Sequence, residues 1–221
     1  MLESSLASFS KLWPSLYFIS QGILVTLKYS IISVIFGLIL GTLLALCKIS
    51  SNNIVRQLAN FYTSVFRGTP LLIQISIIYF GLPSLLGVKI SIFIGGVIAF
   101  SLNSGAYVSE IIRAGILSID QGQFEASKAL SISRYYMYKD IILPQALRNI
   151  LPSLVNELID LLKESSLISI LGEMDLMHRA QLVAAQTYQY FTPMCIAGMY
   201  YYFLIMFLNY LAKILERKLT I

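Results

Sequence analysis

The sequence predicts an all-α membrane protein, a bundle of about five transmembrane helices. Three observations carry that prediction. Only 12% of the 221 residues are charged and 57% are hydrophobic, with a mean hydropathy of +0.76; a soluble chain usually carries about 25% charged residues. Apolar runs recur at lengths near the roughly 20 residues that one bilayer crossing needs. The basic residues gather on alternate connections, as the positive-inside rule requires. A chain with so little charge cannot cover a fold of this size with polar surface, so lipid covers it instead.

The net charge of +5 does not point to nucleic acid. The basic residues form no dense run and lie between apolar segments. Cys47 and Cys195 are far apart in apolar runs and read as small buried hydrophobes rather than a disulfide or metal pair. His178 is the single histidine, so neither a metal site nor a histidine-based catalytic triad is expected, and no cofactor. The N-terminus is not read as a cleaved signal peptide. Glu3 precedes any Lys or Arg, and Ser4 to Ser20 holds Trp13, Tyr17 and Phe18 among serines with Pro14 breaking it, a composition suited to the membrane–water interface.

The first span is Gly22 to Cys47, interrupted only by Lys28, which can snorkel to the headgroups. A polar link through Ser50, Ser51, Asn52 and Asn53 follows. Ile54 to Phe66 has mixed helical character and leads to Arg67-Gly68-Thr69-Pro70, where Thr-Pro reads as a helix start. Span two, about Pro70 to Leu82, is short for a full crossing, so the preceding stretch is expected to contribute membrane depth. Gly81, Pro83 and Gly87 mark a turn. Span three runs from Ile90 to about Ile112, uncharged as far as Ser109. Residues 113–145 form the longest polar connection. Ala146 to Leu171 is read as span four despite Arg148, Glu157, Asp160, Lys163 and Glu164, because leucines and isoleucines leave these on one polar stripe. A break is expected near Ser165, Ser166 and Gly172, then a polar segment to Tyr190. Span five is Phe191 to Ala212. Putting the C-terminus in the cytoplasm gives that side ten basic residues (Lys48, Arg56, Arg113, Lys128, Arg134, Lys139, Arg148, Lys213, Arg217, Lys218) against Lys11, Lys89 and Arg179 outside. The N-terminus is therefore expected outside.

Glu125-Ala126-Ser127-Lys128-Ala129-Leu130-Ser131, followed by Ile141-Ile142-Leu143-Pro144-Gln145-Ala146, resembles the EAA loop of binding-protein-dependent ABC importer permeases. Ser127 and Ser131 depart from it, standing where that pattern has Ala and a turn-forming Gly. Arg67 to Gln74, Asn103 to Tyr107 with Glu110, and Lys163 to Leu167 resemble the polar amino-acid branch of the same family, with glutamine permeases favoured over histidine or arginine ones. The matches cover nearly the whole chain in order. The resemblance implies a single type I importer transmembrane domain over residues 1–221, with the cytoplasmic EAA coupling loop at residues 113–145. It implies a location in the cell inner membrane. The expected partners are ABC ATPase subunits, a second permease chain (identical or related), a periplasmic or extracellular amino-acid-binding protein, and membrane lipid, but no nucleic acid. Glu125, Ala126, Ala129, Ser131, Leu143 and Pro144 would couple to the ATPase.

Polar residues inside a membrane are functional candidates because each is costly in lipid. A zwitterionic substrate needs donors for its carboxylate and acceptors for its ammonium. Asn103 and Tyr107 on span three, with Asn156 and Asp160 one helical turn apart on span four, form the expected substrate site. Lys163 can instead pair with Asp160, and Arg113 with Glu110, as structural ion pairs. Arg67 reads as a structural anchor. The chain holds no phosphate-binding loop, so ATP hydrolysis must come from a separate subunit. An ion-coupled secondary transporter is the alternative, with Asp160 and Glu110 as proton carriers. An intramembrane enzyme lacks a nucleophile–base pair.

Overall fold

The computed structural model describes residues 13–219. The N-terminal segment before Trp13, with Glu3 and Lys11, lies outside the described residues. The helices are α1 (Gly22–Lys48), α2 (Asn53–Gly68), α3 (Leu71–Ser76), α4 (Leu82–Leu86), α5 (Ile92–Leu117), α6 (Gln121–Ala129), α7 (Arg134–Tyr136), α8 (Leu143–Glu164), α9 (Leu176–Thr187) and α10 (Phe191–Leu219). Wider turns at Ile77–Gly81 and Met137–Ile142 join α3 to α4 and α7 to α8, and a tight 3₁₀ stretch, Ser165–Leu171, extends α8.

Among the described residues, three helical segments are long and apolar enough to cross a membrane: Trp13–Lys48, Ile92–Leu117 and Phe191–Ile214. Asn53–Gly68 and Leu71–Leu86 form a fourth, bent by 104°. The short second span is thus the second limb of this bent pair. Pro14 sits in the first turn of a helix, where its missing N–H costs nothing, and so does not break the segment. α8 has 22 residues, which suffices for a crossing, but it carries a stripe of charge through Arg148, Glu157, Asp160, Lys163 and Glu164. The count of about five holds with α8 as a polar-striped span.

α1 and α5 form the centre. In lipid, apolar side chains gain little by leaving the solvent, so helices associate through close packing. α1 presents buried Gly37 and Gly41 to α5. A Cβ at Gly37 would lie 2.8 Å from the Ser104 side chain, and one at Gly41 would lie 2.5 Å from Val108. Only glycine permits this approach. Tyr29 packs edge-on against Phe93 and Phe100 at centroid distances of 5.1 and 6.0 Å. Lys28 lies over the Phe93 ring at 4.2 Å, so its charge is held by an aromatic face as well as by reach.

Three local expectations are corrected. Gly81 and Pro83 lie inside helical turns, and the chain reverses at Gly87 (φ +67°). α5 continues through Arg113 to Leu117, so the polar connection starts later than Arg113. The segment from Gly172 to Tyr190 is not simply polar linker. It contains α9, whose Leu176, Ala180 and Val183 are buried against Ile19, Ile196 and Ala197.

Asp175 caps α9, accepting the His178 N–H at 2.8 Å, and the Tyr201 hydroxyl donates to it at 3.5 Å. It is fully buried. Burial pushes its pKa from the ordinary 3.8 up to about 6, against the downward pull of these hydrogen bonds and with a further push from the Glu173 charge. A raised folded-state pKa means stability that is complete below about 3.8 and lost as pH rises through about 6. That difference is worth about 3 kcal/mol. The thermal midpoint of purified protein is therefore expected to fall between pH 4 and 6. Asp175→Asn, which keeps a capping oxygen, should flatten that part of the curve. Identical pH profiles for the two proteins would refute it.

Candidate functional site: an acidic cavity and an exposed coupling loop

α8 aims Glu157, Asp160 and Glu164 at one face through spacings of three and four, and Tyr107 of α5 faces them. Together with Lys163 these residues line a cavity of about 420 Å³, within the size range of small-molecule sites. Asp160 and Lys163 form an ion pair at 2.6 Å, with side chains 59% and 53% exposed. Such an exposed pair is worth only about 0–1 kcal/mol, so a ligand charge can replace either partner. Lys163 also lines a second cavity of about 320 Å³ with Ser166, Met177, Met194, Ala197, Gly198 and Tyr201. It is shared by the two linings.

Of the four residues expected to bind substrate, the structure brings Tyr107 and Asp160 to this cavity. Asn156 is exposed on α8 and is not in its lining. Asn103 is buried and turned away: its Nδ2 donates to Gln74 Oε1 at 3.0 Å and to the Phe66 carbonyl at 3.3 Å. Glu157 and Glu164 had no part in the expected site. Their signal was present, since Glu157, Asp160 and Glu164 recur at helical spacing, and the choice of Asn156 on the neighbouring face obscured it.

The structural ion pairs appear in fuller form one turn further along α5 from Tyr107. Arg113 donates to Glu110 Oε2 from Nε at 3.0 Å and from Nη2 at 2.7 Å. Lys48, with its side chain 1% exposed, contacts the other Glu110 oxygen and donates to Ser109 Oγ at 3.1 Å. Lys48 was counted among loop charges; it is in fact a buried helix-to-helix tie.

The connection after α5 is pinned from below. Asp120 caps α6 through the Gly122 N–H at 2.6 Å. Ile119, Met137, Ile142, Ala146 and Ile150 form a buried cluster with Phe124 packed against it. Ser131 takes φ +55°, the left-handed turn in which the resemblance has glycine, and the Ile132 N–H closes it onto the Ser127 carbonyl at 3.0 Å. Glu125, Ala126, Ala129, Ser131, Leu143 and Pro144 are all exposed. The loop is packed on its inner side and exposed on its outer side.

Residues 19–221 match the family described as the binding-protein-dependent transport system inner membrane component. The chain belongs to that family. A permease of this kind is a multi-pass inner-membrane subunit, works with a substrate-binding protein and leaves ATP hydrolysis to a separate subunit, so the ion-coupled alternative is set aside. The permease is 62% identical to the putative glutamine transport system permease protein GlnP of Rickettsia conorii over 211 residues, 96% of this chain and 97% of that one. It is 53% identical to the arginine transport system permease protein ArtQ of Bacillus subtilis, covering 96% of each. It superposes on a crystal structure of an amino acid ABC transporter with histidines at TM-score 0.88, with 39% identity over 96% of this chain and 97% of that one. An inward-facing MetNI methionine ABC transporter shares the fold at TM-score 0.75 and 18% identity, covering 93% of this chain and 98% of that one.

Proposed function

We propose that this permease carries a polar amino acid through the cavity lined by Tyr107, Glu157, Asp160, Lys163 and Glu164. A second permease chain completes the path, and ATPase subunits dock on the exposed outer face of residues 113–145. The positive-inside bias supports a cytoplasmic C-terminus and an external N-terminus. The observation that carries the substrate reading is the lining itself: three carboxyls and one ammonium around a space of about 420 Å³. An α-ammonium can displace Lys163 from Asp160 because the pair is weak and exposed.

The relatives named for glutamine support glutamine. The excess of carboxyls over ammonium in the lining favours a second reading, an amino acid with a cationic side chain, in line with the relative named for arginine. Uptake into proteoliposomes holding the permease, its ATPase and its binding protein separates them. Labelled-substrate uptake should require ATP and be competed by either glutamine or arginine well ahead of leucine. Asp160→Asn should lower uptake per mole of folded complex severalfold while basal ATPase activity stays. Unchanged specific uptake in that variant would remove the cavity from the path.

A further inference from the structure

The 104° bend between α2 and α3 places Arg67 beside the cavity. Its guanidinium carbon lies 5.3 Å from the centroid of the Tyr107 ring, and Tyr107 lines the acidic cavity. Arg67 is exposed, and among the described residues it pairs with no carboxylate. A guanidinium within a bent span costs a few kcal/mol unless it reaches water or an anion. A purely structural anchor would be expected to carry its own counter-charge, as Arg113 does with Glu110.

The bend that holds Arg67 is over-determined. Gln74 Nε2 donates to the Phe66 carbonyl at 2.8 Å, the Thr69 carbonyl at 3.0 Å and Thr69 Oγ1 at 2.9 Å. Asn103 of α5 then locks Gln74 and Phe66 from the other side. Both amides are buried. Four of these hydrogen bonds end on Phe66 and Thr69, which flank Arg67, and the fifth joins the two amides; α5 carries both the lock, Asn103, and the ring on which Arg67 stacks, one turn later. Pre-organisation of this kind lowers the entropy lost when an anion is bound.

We propose that Arg67 binds the carboxylate of the substrate amino acid at the Tyr107 edge of the cavity, while the carboxyls of α8 take its ammonium. Asn103 and Gln74 are positioning residues for that cation. The inference rests on the cavity reading given above. The guanidinium fork matches a carboxylate in two-point geometry, and a charge-assisted pair of this kind is about twice as strong as a neutral one. Arg67 therefore recognises the part common to all amino acids, and the cavity beyond Tyr107 distinguishes side chains.

The test uses the permease–ATPase complex in lipid nanodiscs without binding protein, so that only the permease selects. Equilibrium binding of L-glutamine, L-arginine and L-histidine is compared with that of their α-carboxamides. For whichever amino acid binds, the carboxamide should bind about tenfold more weakly, since losing one charge-assisted interaction costs on the order of 1.4 kcal/mol. In Arg67→Gln the amino acid should weaken to the level of its carboxamide and the ratio should fall to about one, whereas Arg67→Lys should keep part of the preference. A ratio unchanged by Arg67→Gln overturns this inference and leaves the cavity reading standing. Separation of the permease pair in Arg67→Gln with the ratio intact overturns it in favour of a carboxylate of the second copy as partner. Failure of wild type to bind any of the three overturns both readings.

Discussion

Glu110→Ala is expected to reduce folded protein more than any other single substitution considered for this permease. The residue removed is the shared counter-charge of two cations. Lys48 reaches Glu110 from the last turn of α1 with its side chain 1% exposed, and Arg113 holds the second oxygen in two-point geometry. Without the carboxylate, Lys48 keeps only Ser109 as a partner in a place from which water is excluded. Breaking a buried pair by removing one member costs about 3–5 kcal/mol, because the other charge stays behind uncompensated. Replacing both members by apolar residues avoids that cost, so Lys48→Met with Glu110→Leu should recover much of the loss. The measurement is the yield of monodisperse protein and its thermal midpoint in detergent for both variants. Wild-type values for Glu110→Ala would show that the tie contributes nothing to the fold. A double variant no better than the single would show that packing, not charge, holds α1 to α5 there.

The same tie shows where the sequence was readable and where it was not. Periodicity and hydropathy located the cores of α1, α5 and α10, since a long uncharged run permits few alternatives. The helix α6 was readable too, because Glu125 to Leu130 is a strong helix-forming string. Contacts between helices were not. Asn103, Tyr107 and Glu110 share a helical face, yet over two turns that face meets three neighbours. Asn103 meets the bend, Tyr107 the cavity, and Glu110 the end of α1. Spacing along one helix cannot say which partner each residue meets. Lys48 looked like an ordinary loop cation for the same reason. α9 was missed on composition: Gln181, Gln186, His178 and Arg179 outweigh a narrow apolar stripe that is visible only once Ile196 and Ala197 of α10 lie against it.

Glu125→Lys is expected to abolish most transport while leaving the permease folded and inserted. The stability half of that expectation comes from exposure. Glu125 projects outward from α6 and makes no ion pair among the described residues, so reversing its charge removes no internal contact, and surface changes of that kind usually stay within about 0.5 kcal/mol. The transport half comes from what surrounds it. Phe124 packs inward onto the cluster of Ile119, Met137 and Ile142, and Leu143 and Pro144, which open α8, are exposed as Glu125 is. If α6 receives the ATPase as proposed, a push on its outer face would pass through that cluster to the start of α8, the helix that carries Glu157, Asp160 and Glu164. A partner groove that receives an acid would meet a cation in the variant, and misplaced charge at an interface can cost several kcal/mol, enough for a loss of tenfold or more in complex formation. Tagged permease should lose co-purifying ATPase, and ATP-driven uptake should fall in parallel. Unchanged binding with lost uptake would place Glu125 in transmission rather than docking. Wild-type levels of both would take Glu125 out of the coupling surface and leave Ala126, Ala129, Leu143 and Pro144 to carry it.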